Sequence, residues 1–231
     1  MWMNLFLSLL LAHLMADFVL QTRKGCKDKV DRKWRSPYHY WHTVIVFALS
    51  WLVAWNMQFW WCALVIGITH FAIDMWKSHR EEDVVWFSVD QILHILILGC
   101  VALLWSKTYD WSIPFGLAPK TIAIAVASLV CWKPANIFIK LMLKHYSVNM
   151  PEDDVKTGFN AGALIGNLER WLILAFVLMQ HYEALGLLIA AKSIIRFGDA
   201  QTRKSEYVLA GTLLSIFIAV LAGLMVSVAS A

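Results

Sequence analysis

The stretch WMNLFLSLLLAHLMADFVLQ, residues 2–21, decides the fold. It is almost all hydrocarbon over the roughly 20 residues that a helix needs to cross a bilayer. Near its end it nevertheless carries His13 and Asp17. Residues four apart share a helix face, so the imidazole and the carboxylate point the same way. Such groups are costly inside a membrane and mark candidate functional positions. Two further apolar runs repeat the pattern. THFAIDMWKS (69–78) holds His70 and Asp74, and VDQILHILIL (89–98) holds Asp90 and His94. A fourth run starts beside His42.

The whole chain has the composition of an all-α, polytopic integral membrane helical bundle. Of its 231 residues, 60% are hydrophobic and only 16% are charged, and the mean hydropathy is +0.61. Continuous apolar runs, without period-two alternation, exclude a membrane β-barrel. About eight spans (seven to eight) fit, at 2–21, 41–57, 60–77, 85–105, 118–132, 160–180, 183–197 and 207–229. Pro114 and Pro119 precede the fifth, Lys133-Pro134 interrupts it, and the following 136–144 reads as an amphipathic interfacial helix. The first basic residue, Arg23, follows the first apolar run rather than preceding it, so that run is expected to be kept rather than cleaved. The composition break at 106–119 divides the chain into a His/Asp-rich four-helix unit, 1–107, and a second helical unit, 108–231.

Basic residues set the orientation. The 22–40 segment holds Arg23, Lys24, Lys27, Lys29, Arg32, Lys33 and Arg35, which marks it as cytoplasmic. That choice puts seventeen of the twenty Lys and Arg residues inside and both termini outside. The net charge of +4 therefore sits in loops between spans and signals no nucleic-acid partner. Trp55, Phe59, Trp60, Trp61, Trp105, Tyr109 and Trp111 are expected at the outer interface, with Trp34, Tyr38, Tyr40 and Trp41 at the inner one. Cys26, Cys62, Cys100 and Cys131 have no metal or redox spacing, and the last three read as small buried apolar residues.

With this topology His13, Asp17, His42, His70, Asp74, Asp90 and His94 all fall in the inner leaflet. Imidazole nitrogen and carboxylate oxygen suit a divalent metal, Zn, Mn or Fe. A bound metal would lower the pKa of a water and supply a nucleophile at neutral pH. His13, Asp17, His70, Asp74 and Asp90 are the candidate catalytic groups, all seven are candidate ligands, and Gln21 and Gln91 are candidate orienting or substrate groups. Interhelical hydrogen bonding explains the same pattern without a metal. His39, His79, His145 and His181 are expected to be solvated. In the second half, Glu169 and Arg170 fall within a span, and Lys192 and Arg196 lie four apart. They form either intramembrane ion pairs or a basic pocket for an anionic headgroup. Gly158, Gly162 and Gly166 form a small-residue ridge suited to close packing, within the chain or in a homodimer.

On LLLAHLMADFVLQ (9–21), the His42 helix start, THFAIDMWKS and VDQILHILIL, the chain resembles bacterial membrane proteins grouped as domain of unknown function 3307. LIGNLERWLIL (164–174), AAKSIIRFGD (190–199) and SEYVLAGTLLS (205–215) resemble the longer members of that family. The resemblance implies a multi-pass helical protein of the bacterial inner membrane and no established activity. The donor spacing is also similar to that of membrane-embedded metal-dependent hydrolases, although their full motif set is lacking.

Three functions follow as expectations. The first is a metal-dependent hydrolase acting on a phosphoester or lipid-linked substrate at the cytoplasmic leaflet. The second is a transporter of a metal ion, proton or small anion. The third is a sensor or assembly subunit whose basic 22–40 segment meets anionic lipid or a cytosolic partner. The orientation shared by all three is testable in a cysteine-free background. Lys24→Cys is expected to resist a membrane-impermeant thiol reagent in intact cells and Gln58→Cys to react. The reverse pattern would invert the topology.

Overall fold

The structure, a computed structural model, describes residues 2–114, 117–146, 161–197 and 202–229. Every regular element among them is helical. Five segments are long and apolar enough to cross a membrane: Trp2–Leu20, Met57–Lys77, Val84–Thr108, Pro119–His145 and Leu209–Ala229. The chain divides into two compact units, Met1–Val126 and Ala127–Ala231.

In the first unit α1 (Trp2–Leu14) runs into a π-helical turn, Met15–Leu20. A short α2 (Arg23–Arg32) follows, capped by the Thr22 hydroxyl, which accepts from the Gly25 amide at 3.1 Å. Then come α3 (Pro37–Ala54), α4 (Trp60–Lys77) and α5 (Val84–Thr108). Their boundaries have local causes. Pro37 opens α3 at a position where its missing N–H costs nothing. Trp55 ends α3 in the left-handed region, at φ 46°, and the buried Trp111 indole caps it by donating to the Ala54 carbonyl at 2.7 Å. Asp83 starts α5 by accepting from the Val85 amide at 3.1 Å.

Helix α1 packs on α3 and α5, α3 packs on α4, and α4 packs on α5, so the four close into a ring. Along its axis the ring has two layers. Leu5, Leu9, Val46, Ile66, Leu98 and Trp105 fill one layer with close-packed hydrocarbon. The histidines and aspartates fill the other, and α2 lies at that polar end.

Several expectations change here. The 22–40 segment is not all loop, because it contains α2 and the start of α3. His39 lies within α3 and is 1% exposed, where solvation was expected; its ring packs edge-on against Phe71, centroids 5.9 Å apart. Phe59, Trp105 and Trp111 are core residues rather than interface anchors. The Phe59 ring meets Trp105 edge-on at 5.0 Å, and Trp105 stacks on Tyr109 at 4.2 Å. Trp55, Trp60 and Trp61 do lie exposed. Cys62 and Cys131 are buried, whereas Cys100 faces outward.

The second unit takes in the end of α6 (Pro119–Val130), then α7 (Lys133–His145), α8 (Ala161–Leu178), α9 (Tyr182–Phe197) and α10 (Thr202–Ala229). The break between α6 and α7 falls at Cys131-Trp132, with Pro134 in the first turn of α7. Helix α10 packs on α8 and α7. It comes close at Gly223, where an added Cβ would lie 2.5 Å from Val177 Cγ1 and 2.9 Å from its Cβ. The expected glycine ridge is placed differently. Gly166 is covered by Arg170 of the next turn, Gly162 faces open space, and Gly158 lies outside the described residues.

Gly223→Ala is therefore expected to destabilise the second unit by about 1–3 kcal/mol through overpacking. Gly162→Ala should be nearly silent. Thermal unfolding of the purified protein in detergent compares the two.

Candidate metal centre

Each donor reaches the polar layer for a geometric reason. On α4 and α5 the four-residue spacing of His70 with Asp74 and of Asp90 with His94 puts each pair on one inward face. On α1 the pair spans the onset of the π-helical turn, so Asp17 sits on a wider turn than His13. Single π-turns recur at functional sites because they re-aim a side chain. His42 comes from the second turn of α3.

The structure gathers four atoms most tightly. His42 Nε2 lies 3.0 Å from His70 Nε2, 3.1 Å from Asp17 Oδ1 and 3.8 Å from Asp74 Oδ2. His70 Nε2 lies 3.4 Å from Asp17 Oδ1 and 3.8 Å from Asp74 Oδ2. Hydrogen bonding alone serves this arrangement poorly. Two facing Nε2 atoms share at most one proton, and that proton cannot also reach Asp17 from both rings. A zinc-sized cation with ligands at about 2.0–2.2 Å would space its tetrahedral donors by roughly 3.3–3.6 Å. The separations of His42 and His70 from each other, from Asp17 and from Asp74 bracket that spacing, while among the described residues no group of donors within 4.8 Å contains both Asp17 and Asp74.

Around this tetrad the protonation pattern can be read from the partners. Gln91 donates its amide to Asp90 Oδ2 at 3.0 Å, so its oxygen accepts from His13 Nε2 at 3.4 Å. His13 Nδ1 then faces Asp17 Oδ1 at 3.7 Å. His94 Nδ1 donates to the Asp90 carbonyl at 2.9 Å, and an oxygen that only accepts fixes the proton there. His94 Nε2 is left as a bare lone pair, buried and with no hydrogen-bond partner. The His94 ring stacks beside His13 at 5.0 Å and lies 4.2 Å from His70. Ligand atoms of His13, Asp17 and His94, of Asp17, His42 and His70, and of His70, Asp74 and His94 form triads within 4.8 Å. Asp90 belongs to none of these triads. It is 1% exposed and holds the Lys77 ammonium at 2.6 Å.

Two residues paired to the cluster escaped the sequence reading, Lys29 and Lys77. Lys29 reaches down from α2, is 6% exposed, and donates to Asp74 Oδ2 at 2.5 Å. Nothing in the sequence separates it from its basic neighbours, because only the docking of α2 chooses it. Lys77, one turn past Asp74 on α4, pairs across to Asp90 on α5, a partner that helix packing selects. Gln21 joins the network, with its oxygen accepting from Lys29 Nζ at 2.8 Å and its nitrogen donating to the Asp17 carbonyl at 3.2 Å. With Asp74 and Asp90 each paired to a lysine, Asp17 keeps only imidazoles around it among the described residues. With neutral rings the buried cluster carries one uncompensated negative charge, a costly state in a low dielectric.

In the second unit the charged residues turn to one another and to the backbone. Lys192 is ion-paired with Glu169. Arg170, 1% exposed, donates to the Cys131 carbonyl at 2.6 Å, Ser215 Oγ at 3.0 Å, Asn136 Oδ1 at 2.5 Å and Asn167 Oδ1 at 2.7 Å. It thereby satisfies the carbonyl freed by the α6–α7 break and ties α7, α8 and α10 together. The side chain of Arg196 lies outside those described.

An all-helical architecture, several membrane-length apolar helices and a buried His/Asp cluster define the class of this protein. The chain belongs to the family described as Protein of unknown function (DUF3307), whose profile matches residues 5–121. That match contains every residue of the cluster. No curated protein and no solved structure matches the chain.

Arg170→Met is expected to cost about 3 kcal/mol or more, since it leaves the buried Cys131 carbonyl and Asn136 Oδ1 without their donor. Loss of monodispersity on size exclusion, or a lowered Tm in detergent, measures it.

Proposed function

We propose that this chain is a metal-dependent hydrolase of the bacterial inner membrane, working at the cytoplasmic leaflet on a phosphoester or lipid-linked substrate. The observation that carries the proposal is the convergence of Asp17 Oδ1, His42 Nε2, His70 Nε2 and Asp74 Oδ2. These two imidazoles and two carboxylates would hold one divalent cation, with Zn, Mn or Fe all compatible with the donor set. The metal would supply Lewis acidity and a water acidic enough to attack at neutral pH. His94 Nε2, a bare lone pair beside the tetrad, is placed to accept that water's proton. Asp90 and Gln91 orient His94 and His13, in the manner of outer partners that fix imidazole tautomers at metal centres. About eight spans with both termini outside, and the division at 107/108, complete this reading. Anionic headgroups would meet the exposed basic residues of 23–35.

One observation favours transport instead. A cavity of about 10 Å³, room for roughly one water, lies between His13, His70 and His94 and the apolar side chains Val46, Ile66 and Leu98. A small space beside buried imidazoles suits a proton passing between them.

The metal is the first thing to measure. Elemental analysis of the purified protein should find about one transition-metal ion per chain, the stoichiometry of a single site. His42→Ala and His70→Ala should lose it, and His79→Ala should keep it. Metal-dependent hydrolysis of a chromogenic phosphodiester would then support the enzyme. Asp74-dependent flux in proteoliposomes without hydrolysis would support the transporter. Absence of stoichiometric metal would end both metal readings.

A further inference from the structure

Helix α2 is an unusual cover for a membrane site, because it has no apolar face with which to stay down. Its sequence, RKGCKDKVDR, is mostly charged. Gly25 and Lys29 are its only buried residues, and Val30 is 54% exposed. Gly25 rests on the Tyr38 ring, where an added Cβ would come within 3.1 Å of Cδ1. Asp28 accepts from Ser36 Oγ at 2.6 Å and pairs with Arg32 at 3.2 Å, contacts confined to α2 and the turn after it. Among the described residues Lys29 is the side chain of α2 that ion-pairs with the helix ring, through Asp74 on α4, while Tyr38 of α3 supports α2 from beneath Gly25. The oxygen it holds, Asp74 Oδ2, is a donor of the tetrad. Gln21, just ahead of α2, steadies the same ammonium.

Charge accounting makes the consequence specific. Asp17 and Asp74 bring two negative charges to the tetrad, and Lys29 offsets one. A divalent cation would offset both, leaving the Lys29 ammonium as a surplus charge beside a metal-ligating oxygen. Like charges at that range, in a poorly screened interior, repel strongly. Lysine has a flexible four-carbon stem and a well-hydrated head, so it can withdraw to water.

On the reading of the tetrad as a metal site, we propose that Lys29 is a tethered cation latching α2 over the site, and that a divalent ion displaces it from Asp74 and frees α2 from the mouth. Metal occupancy and access from the cytoplasm are thereby one event. Lys77 on Asp90 does not share this role, since it sits on α4 itself and moves no separate element.

The test uses the full chain in detergent, with zinc as the probe. Zinc affinity is measured by chelator competition for wild type, Lys29→Met and His70→Ala. Trypsin cleavage after Arg23, Lys24 and Lys27, read by mass spectrometry, reports the seating of α2. Lys29→Met should bind zinc about tenfold more tightly or better, the scale on which outer partners tune metal sites. Zinc should speed cleavage in wild type and leave His70→Ala unchanged, while Lys29→Met should be cut fast with or without zinc. Equal or weaker zinc binding by Lys29→Met overturns the latch and leaves the metal site standing. Zinc binding by neither wild type nor Lys29→Met removes the metal site and the latch with it. Should Lys29→Met fail to fold, the wild-type protein still decides: cleavage indifferent to bound zinc overturns the latch.

Discussion

The contact on which the polar layer of the first unit depends is the meeting of two imidazoles across one carboxylate oxygen. His42 and His70 come from adjacent antiparallel helices, and Asp17 reaches them from a third. Hydrocarbon packing could hold α1, α3, α4 and α5 in a ring without them, as Leu5, Val46, Ile66 and Leu98 do in the apolar layer. Polar groups packed this closely instead demand something with positive charge at their centre, whether protons or a metal. Lipid tails offer no competing solvation, so that demand must be met inside the protein.

The two layers of the ring divide the work. The apolar layer fixes helix separation through interlocking side chains, including the buried Phe59–Trp105–Tyr109 ring stack. The polar layer inherits that separation and uses it to bring donors within ligand range. Outer partners refine the result: the Asp90 carbonyl and Gln91 choose the proton positions on His94 and His13, and lysines neutralise Asp74 and Asp90. Arg170 plays a comparable structural role in the second unit, where a broken helix leaves a carbonyl that only a buried donor can satisfy.

Much of this was legible in the sequence. The helical class follows from apolar runs of membrane length, and the inward-facing donors from i, i+4 spacing in three of those runs. The break near Lys133-Pro134 was visible because proline disrupts a helix interior, and the structure places it at Cys131-Trp132. What was not legible depends on docking rather than on local pattern. Lys29 looks like any other basic residue until α2 folds back over the site. His39 looks like a loop residue until α3 begins at Pro37 and Phe71 covers it. Trp105 and Phe59 look like interface aromatics because composition alone cannot tell a belt from a core. The π-helical turn at Asp17 has no signature that hydropathy could reveal.

X-ray absorption at the metal edge of zinc-loaded protein reads the ligand shell itself. A metal held by Asp17, His42, His70 and Asp74 gives nitrogen and oxygen at about 2.0–2.2 Å, with the outer-shell scattering of two imidazole rings. A shell containing sulfur at about 2.3 Å, or a hydrated shell with no imidazole, would contradict that coordination.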